Sequence, residues 1–499
     1  MADKYNALLE HLGDIQNLED AASLLSWDQE TAMPAGGAEA RARQLGTLAK
    51  LHHELLTSDN TAELLDSASK EVDMDDYSSD AASIIRVMRE DYEDATKLPT
   101  KFVAERAQTI ALAHETWVKA RANSDFGIFS DTLKKVIDFA LQEAEYRGFD
   151  DHPYDALLGQ YERGMTTAEV NRIFDGHRPA LVELIAAIGE AQQVDASPIT
   201  MSYDVDKQRD FALKMVEAFG FDFNRGAQAV SVHPFCTNFS KNDVRITTRF
   251  EPNFINTALF GMMHEAGHGM YEQGTSDSLE GTPLGTGTSL GVHESQSRMW
   301  ENLVGRSKGF WSWAYPQLQQ TFPQLNDVSL DGFYKAINKV EPSLIRVEAD
   351  EATYNLHIIL RFEIEKAILT GDLKVADLPD AWNSRFEEFF GIVPPNDAEG
   401  VLQDVHWSAG LMGYFPTYAL GNLLSVQYYN KALSDHPSIP DEIANGKFDT
   451  LLTWLNKNIH EHGRKFTAAE LTRRVTGEDI QSDDYMTYLQ TKFGDIYGL

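Results

Sequence analysis

Three side chains in one short run have the types and spacing to hold a metal and move a proton: His264, Glu265 and His268, in His264-Glu-Ala-Gly-His268. On an α-helix, residues four apart lie one above the other on the same face. Two imidazoles placed that way can chelate one Zn²⁺, and a carboxylate between them sits within reach of a metal-bound water. The chemistry this suits is hydrolysis of a carbonyl compound, with the open coordination position holding water and Glu265 taking its proton. With 15 histidines in 499 residues, chance would place only about 0.04 such motifs in the chain.

A third protein ligand is required. A third histidine in the extended motif would need Gly at 271 and His at 274, where Tyr271 and Gly274 stand. Glu272 shares a face with His268, but three ligands on consecutive turns of one straight helix are splayed too far along its axis. Glu294, 26 residues beyond His268 in His293-Glu-Ser-Gln-Ser297, is the better candidate. Two histidines and a glutamate form the open, hydrolytic type of zinc site. Cobalt is an acceptable substitute for such a ligand set.

The elements that must position these groups are mostly helical, since apolar residues recur at three- and four-residue spacing along the chain. Capping boxes at Thr166-Thr-Ala-Glu169 and Thr467-Ala-Ala-Glu470 mark two helix starts. Residues 229–233 and 243–250 alternate and are rich in β-branched side chains, with Lys241 and Asn242 between them. They predict a small antiparallel pair next to the helix that carries His264. Residues 274–292, rich in Gly, Thr and Ser, predict a long irregular loop that lets the chain turn back toward the histidines.

Composition removes other classes. Against 77 Asp and Glu there are only 43 Lys and Arg, a formal charge of −34, so the long-range field repels nucleic acid and anionic membranes. The lone cysteine, Cys236, excludes an intramolecular disulfide and any cysteine-built metal cluster within the chain. It reads as a small buried hydrophobe rather than a nucleophile. The stretch free of Asp, Glu, Lys and Arg at 405–430 carries His406, Pro416 and Asn422 and reads as buried protein, not a membrane span. Without basic and apolar leader regions at the start, a cytoplasmic location is the expectation.

Six dispersed motifs occur in order over residues 233–407: His233-Pro-Phe235, Asp243-Val-Arg-Ile-Thr247, His264-Glu-Ala-Gly-His268, His293-Glu-Ser-Gln-Ser297, Ile345-Arg-Val-Glu-Ala-Asp350 and Gly400-Val-Leu-Gln-Asp-Val-His-Trp407. Together they resemble the signatures of the carboxypeptidase Taq family of zinc metallocarboxypeptidases. Ser26-Trp-Asp-Gln-Glu-Thr-Ala-Met33 extends the likeness toward the start of the chain. The resemblance implies one mainly α domain over 1–499, a helical metallopeptidase with a deep central groove and the small sheet beside the active-site helix. It is similar to angiotensin-converting-enzyme-like and neurolysin-like peptidases. The catalytic core falls at about 225–430, and the helices of about 1–120 act as a lid by analogy.

The same resemblance implies a homodimer that removes single C-terminal residues from peptide substrates. His264, His268 and Glu294 would hold the zinc, with Glu265 as general base. Helical zinc peptidases often place a carboxylate four residues past the third ligand, where this chain has Arg298. A carboxylate that orients a zinc imidazole must then come from elsewhere, with Asp350, Asp404 and Glu301 as candidates.

A carboxypeptidase must also grip a free α-carboxylate, which the planar fork of Arg does best. Arg346 is the first choice. On a helix, Arg346, Asp350, Tyr354 and His357 would share a face, either as a polar substrate wall or with a structural Arg346–Asp350 ion pair. Arg245 and Arg249 are alternatives on the predicted strands, and His233 could contact substrate or cap a strand end. His406 with Tyr414 or Tyr418 resembles the pair that stabilises the oxyanion in related enzymes. An aminopeptidase or oligoendopeptidase on the same zinc core is the rival reading, and a helical scaffold with a fortuitous motif is the non-enzymatic one.

Overall fold

In the computed structural model, which describes residues 3–499, helices begin where the capping signals place them. Thr467 accepts the Glu470 amide while Glu470 accepts the Thr467 amide, a reciprocal box that opens the helix Ala468–Thr476. Thr166 likewise accepts the Glu169 amide at the head of Thr167–Glu190. The architecture is mainly helical, with one small sheet, as expected. No helix among the described residues is long and apolar enough to cross a membrane.

The chain forms two compact units, each assembled from three separate segments. The first contains the chain up to Thr96, Asp195–Ile337 and Tyr428–Glu478, and the second Lys97–Val194, Asn338–Gln427 and Asp479–Leu499. The segment read as 1–120 is therefore divided, with Thr100–Asn123 belonging to the second unit.

In the first unit the sheet departs from the predicted antiparallel pair. Three strands, β1 (Gly226–Val230), β2 (Cys236–Ser240) and β3 (Asp243–Thr248), lie in the order β1-β3-β2. β1 pairs with β3 in parallel, Gly226 opposite Val244, and β2 pairs with β3 antiparallel, Thr237 opposite Arg245. The reason is local. The Lys241-Asn242 turn folds β2 back on β3 as a hairpin and fills one edge of it. β1 is left the other edge, which it meets running in the same direction. Val232 and His233 fall outside β1 and are exposed.

β3 buries Val244 and Ile246 completely beneath the helix Ile255–Gln273, which carries the two histidines. The glycine-rich segment after that helix is more ordered than a free loop. Leu279 and Leu284 are fully buried in a cluster with Leu8, Leu12, Leu65 and Ile84, which anchors the segment to the N-terminal helices. It ends one turn earlier than expected: Ser289 accepts the Val292 amide and starts the helix Leu290–Arg298.

In the second unit, the expected helical face through Arg346, Asp350, Tyr354 and His357 does not form. Arg346–Glu348 is a single 3₁₀ turn, and the helix begins only at Tyr354. Asp350 accepts the amides of Ala352 and Thr353 at 2.9 and 3.0 Å and the Thr353 hydroxyl at 3.0 Å. An aspartate that captures backbone amides in this way caps a helix start rather than continuing one.

Candidate metal centre

The two helices that carry the motif histidines and Glu294 approach closely because position 267 has no side chain. A Cβ on Gly267 would stand 2.6 Å from Ser297 Cα and 2.7 Å from the Gln296 carbonyl oxygen. Both neighbours are backbone and cannot swing aside, so an alanine there would force the helices apart and carry Glu294 away from the histidines. Glycine costs helix propensity of about 1 kcal/mol, offset here by the close approach it permits.

His264, His268 and Glu294 each bring one ligand atom to a common point, all within 4.8 Å of one another. The Nε2 atoms of both rings lie 3.5 Å from Glu294 Oε2. Ligand atoms about 2.0–2.1 Å from a tetrahedral ion stand roughly 3.3–3.4 Å apart, so these residues fit a divalent metal with little adjustment.

The other ring nitrogens are occupied. His264 Nδ1 donates to Glu301 Oε2 at 2.9 Å. Glu301 is also paired with Arg298 and Arg306. Burial works to raise its pKa, but the bond to His264 and the charge of Arg298 bring it down to about 2, so it is an ionised acceptor. His268 Nδ1 lies 2.6 Å from His293 Nδ1, and His293 Nε2 lies 2.6 Å from Glu272 Oε1. Arg298, at the position where a carboxylate was looked for, donates to Glu294 Oε1 at 2.7 Å. Burial opposes ionisation of Glu294, yet Arg298 and His264 hold it well below the usual carboxylate range.

The electrostatics favour positive charge at this point. Burial acts to lower the His264 imidazole, but the carboxylates of Glu294 and Glu301 overcome it and raise it to about 10. His268 is brought down to about 3 by burial and by the neighbouring rings of His293 and His264. The negative field that protonates His264 is available to a bound cation instead. Glu265 is buried, and burial reinforced by the nearby carboxylates Glu294 and Glu301, against the pull of His264, raises it to about 7.

Of the three candidate orienting carboxylates, Glu301 is the one bonded to a motif histidine, while Asp350 and Asp404 belong to the second unit. Glu301 lies seven residues past Glu294, in the π-helical turn Met299–Val304 that continues the helix Leu290–Arg298. His293 and Glu272 were visible in the sequence, Glu272 weighed only as a ligand. Its position four residues beyond His268 was the signal that it could serve that histidine from behind.

In the second unit a separate polar cluster centres on Asp404. Arg346 donates from Nε and Nη2 to Asp404 Oδ1 at 3.0 and 2.8 Å, and from Nη1 to the Tyr354 hydroxyl at 2.9 Å. Arg361 donates from Nε to Asp404 Oδ2 at 2.7 Å. The partner of Arg346 is therefore Asp404 rather than Asp350. His406 Nε2 lies 3.3 Å from the Tyr418 hydroxyl, whereas Tyr414 packs edge-on against Tyr161 with ring centroids 5.0 Å apart. Burial, aided by Arg346 and Arg361 and opposed by Asp404, brings His406 down to about 4, so it is neutral near pH 7.

The remaining candidates lie in the first unit. Arg245 forms a two-pronged pair with Asp243 at 2.9 Å and is flanked by the rings of Trp27 and Phe239. Arg249 lies 3.2 Å from Glu251. The His233 carbonyl accepts the Ser231 hydroxyl. Cys236 is half-buried rather than buried; desolvation, then the charges of Glu265 and Glu272, push its thiol well above its usual range, which disfavours the thiolate.

The family model of the carboxypeptidase Taq (M32) metallopeptidases matches residues 7–493. The chain is 42% identical over 504 residues to thermostable carboxypeptidase 1 of Thermus thermophilus, covering 99% of each. It is 39% identical over 485 residues to carboxypeptidase 1 of Bacillus subtilis, covering 97% of this chain and 96% of the relative. The crystal structure of the M32 carboxypeptidase of Deinococcus radiodurans R1 superposes with a TM-score of 0.97 at 40% identity, over 99% of this chain and 100% of that one. These relatives do not favour an aminopeptidase, an oligoendopeptidase or a scaffold. The chain belongs to the carboxypeptidase Taq (M32) family and is a metallocarboxypeptidase, a peptide hydrolase.

Proposed function

We propose that this metallocarboxypeptidase removes single C-terminal residues from peptides using zinc, with cobalt as a working substitute, held by His264, His268 and Glu294. The observation that carries this reading is the convergence of two imidazole Nε2 atoms on one carboxylate oxygen at 3.5 Å, with both rings tethered from behind. A divalent cation held by these three residues would supply a Lewis acid for the scissile carbonyl and for the attacking water. Glu265, raised to about 7 by its burial, holds the proton taken from that water and releases it to the leaving amine, which a group titrating near the working pH does best. His406 and Tyr418, with Tyr414, are proposed as the oxyanion donors, since His406 is neutral near pH 7 and its Nε2 lies 3.3 Å from the Tyr418 hydroxyl.

Arg346 is proposed to fix the substrate's α-carboxylate. Asp404 and Tyr354 hold its fork in one orientation, so little rotamer freedom is lost on binding. Asp350 supports this segment by accepting the amides of Ala352 and Thr353, and Arg245 and His233 are proposed as further substrate contacts. Family resemblance alone supports a homodimer, and light scattering on the purified chain reads its mass directly.

The clamp is tested with a peptide pair differing only at the C-terminus. Amidation removes the carboxylate charge, and kcat/KM is expected to fall at least about 100-fold, the loss of a charge-assisted, two-pronged contact. Equal cleavage of the amide and the free acid would sink the carboxylate clamp.

A further inference from the structure

The two metal-facing histidines are held from behind by different chemistry. His264 leans directly on an anionic carboxylate, Glu301. His268 leans on another imidazole, His293, which in turn leans on Glu272. Glu272 is 2% exposed, and it collects donors on both oxygens: the Thr286 hydroxyl at 2.8 Å and the Gly287 amide at 3.3 Å on Oε1, and the Asn238 side-chain amide at 2.9 Å on Oε2.

Those contacts direct every proton along the chain. A carboxylate surrounded by donors accepts, so His293 must carry its proton on Nε2, facing Glu272. For His268 to offer Nε2 to a metal, its own proton must sit on Nδ1, so His293 Nδ1 is the acceptor of that bond. The 2.6 Å contact at that nitrogen is then a bond donated by His268 Nδ1–H. His268 is left with its lone pair on Nε2, the atom that faces Glu294. In a neutral His293 the opposite order would set two acceptors against each other at 2.6 Å between His293 and Glu272. The relay ring is itself clamped. Its neighbour Tyr271 lies with ring centroids 5.0 Å away, and a Cβ on Gly287 would come within 2.6 Å of His293 Cδ2. The glycine-rich segment thus has a second use, delivering the Gly287 amide and the Thr286 hydroxyl to Glu272.

We propose that Glu272 and His293 are positioning residues that act as a directed hydrogen-bond relay, fixing His268 in the tautomer and orientation that offers Nε2 to the metal. This rests on the reading of His264, His268 and Glu294 as the metal ligands. The relay makes the site asymmetric: one imidazole is backed directly by a carboxylate and the other by a second imidazole whose own orientation is borrowed from a buried carboxylate. Partners of this kind typically change metal affinity by about 10–100-fold when removed.

The test measures Zn²⁺ affinity of the full-length protein by competition with a chromophoric chelator. His293→Phe, Glu272→Gln, the double variant and a His268→Ala control are compared with the wild type, and each metal-free protein's thermal midpoint is recorded. His293→Phe, which keeps a ring but no acceptor, is expected to weaken Zn²⁺ binding about 10–100-fold with an unchanged metal-free midpoint. Glu272→Gln, whose amide can present either atom to His293, is expected to weaken it at least about threefold. The double variant is expected to bind no more weakly than His293→Phe alone, because Glu272 acts only through the ring. Affinity within twofold of wild type in His293→Phe, or losses that multiply in the double variant, would overturn the relay while leaving the metal site standing. If His293→Phe does not fold, Glu272→Gln decides alone, and unaltered affinity there overturns the proposal. A wild type that binds no Zn²⁺, or a His268→Ala variant that binds it as tightly, overturns the metal-site reading and the relay with it.

Discussion

Glu265→Gln is expected to lower kcat by about 10³–10⁴-fold, the contribution of a well-placed general base, with Zn²⁺ stoichiometry and KM for a peptide substrate near wild type. The substitution is nearly isosteric and falls on a buried residue between the two histidines, so it removes a proton acceptor and little else. An amide cannot take a proton from water at neutral pH. Steady-state kinetics beside metal analysis separates the outcomes. A kcat within tenfold of wild type in a fully metallated variant would show that another group takes the proton, and a variant that loses the metal would place Glu265 among the groups that hold it.

The second large effect is structural. Asp404→Asn is expected to destabilise the protein by about 3–5 kcal/mol, the cost of leaving buried charge without its partner. Arg361 is completely buried and Arg346 is 5% exposed, and both donate to this one carboxylate. Asparagine can accept from one of them but neutralises neither. Burial opposes the charge on Asp404, yet Arg346 and Arg361 hold its carboxyl far below the usual range. The folded value therefore lies below the unfolded one, near 3.9. The stabilisation is complete above about pH 4 and is lost as the pH falls below it. Denaturant titrations from pH 8 to pH 3 should thus show a constant gap between wild type and variant that narrows only in acid. A gap that is absent at pH 7 would mean the two guanidiniums find another counter-charge. If Arg346 receives the substrate carboxylate, the same variant raises KM more than it lowers kcat, since its fork is no longer held.

The helix Ile255–Gln273 and its histidine pair were legible because a four-residue spacing becomes one face of a helix wherever that helix sits. The capping box at Thr467 and the Thr166 half of the other were legible for the same reason, since their partners are three residues apart. The stretch from Arg346 to His357 was misread although its signal was local too: an aspartate ahead of Ala-Thr is a cap former, and Asp350 takes the amides that a continuous helix would have used. The direction of β1 could not be read from its alternation. A strand's pattern states which side is buried but not which edge of its neighbour remains open, and the β2–β3 hairpin decided that.

What the residues determined unaided is the chemistry on offer: two imidazoles and a carboxylate on one helical turn, one cysteine, a strongly acidic chain, and a set of motifs whose order resembles one peptidase family. Tertiary structure decided which distant groups those residues meet. Glu301 rather than Asp350 or Asp404 backs His264, His293 and Glu272 stand behind His268, and Asp404 binds Arg346 and Arg361 together. The physical reason is that a buried charge or ring nitrogen must find a partner where water cannot supply one. Which partner it finds depends on how closely two backbones approach, as they do at Gly267, and such distances are set by packing across the whole unit rather than by the spacing of residues along the chain.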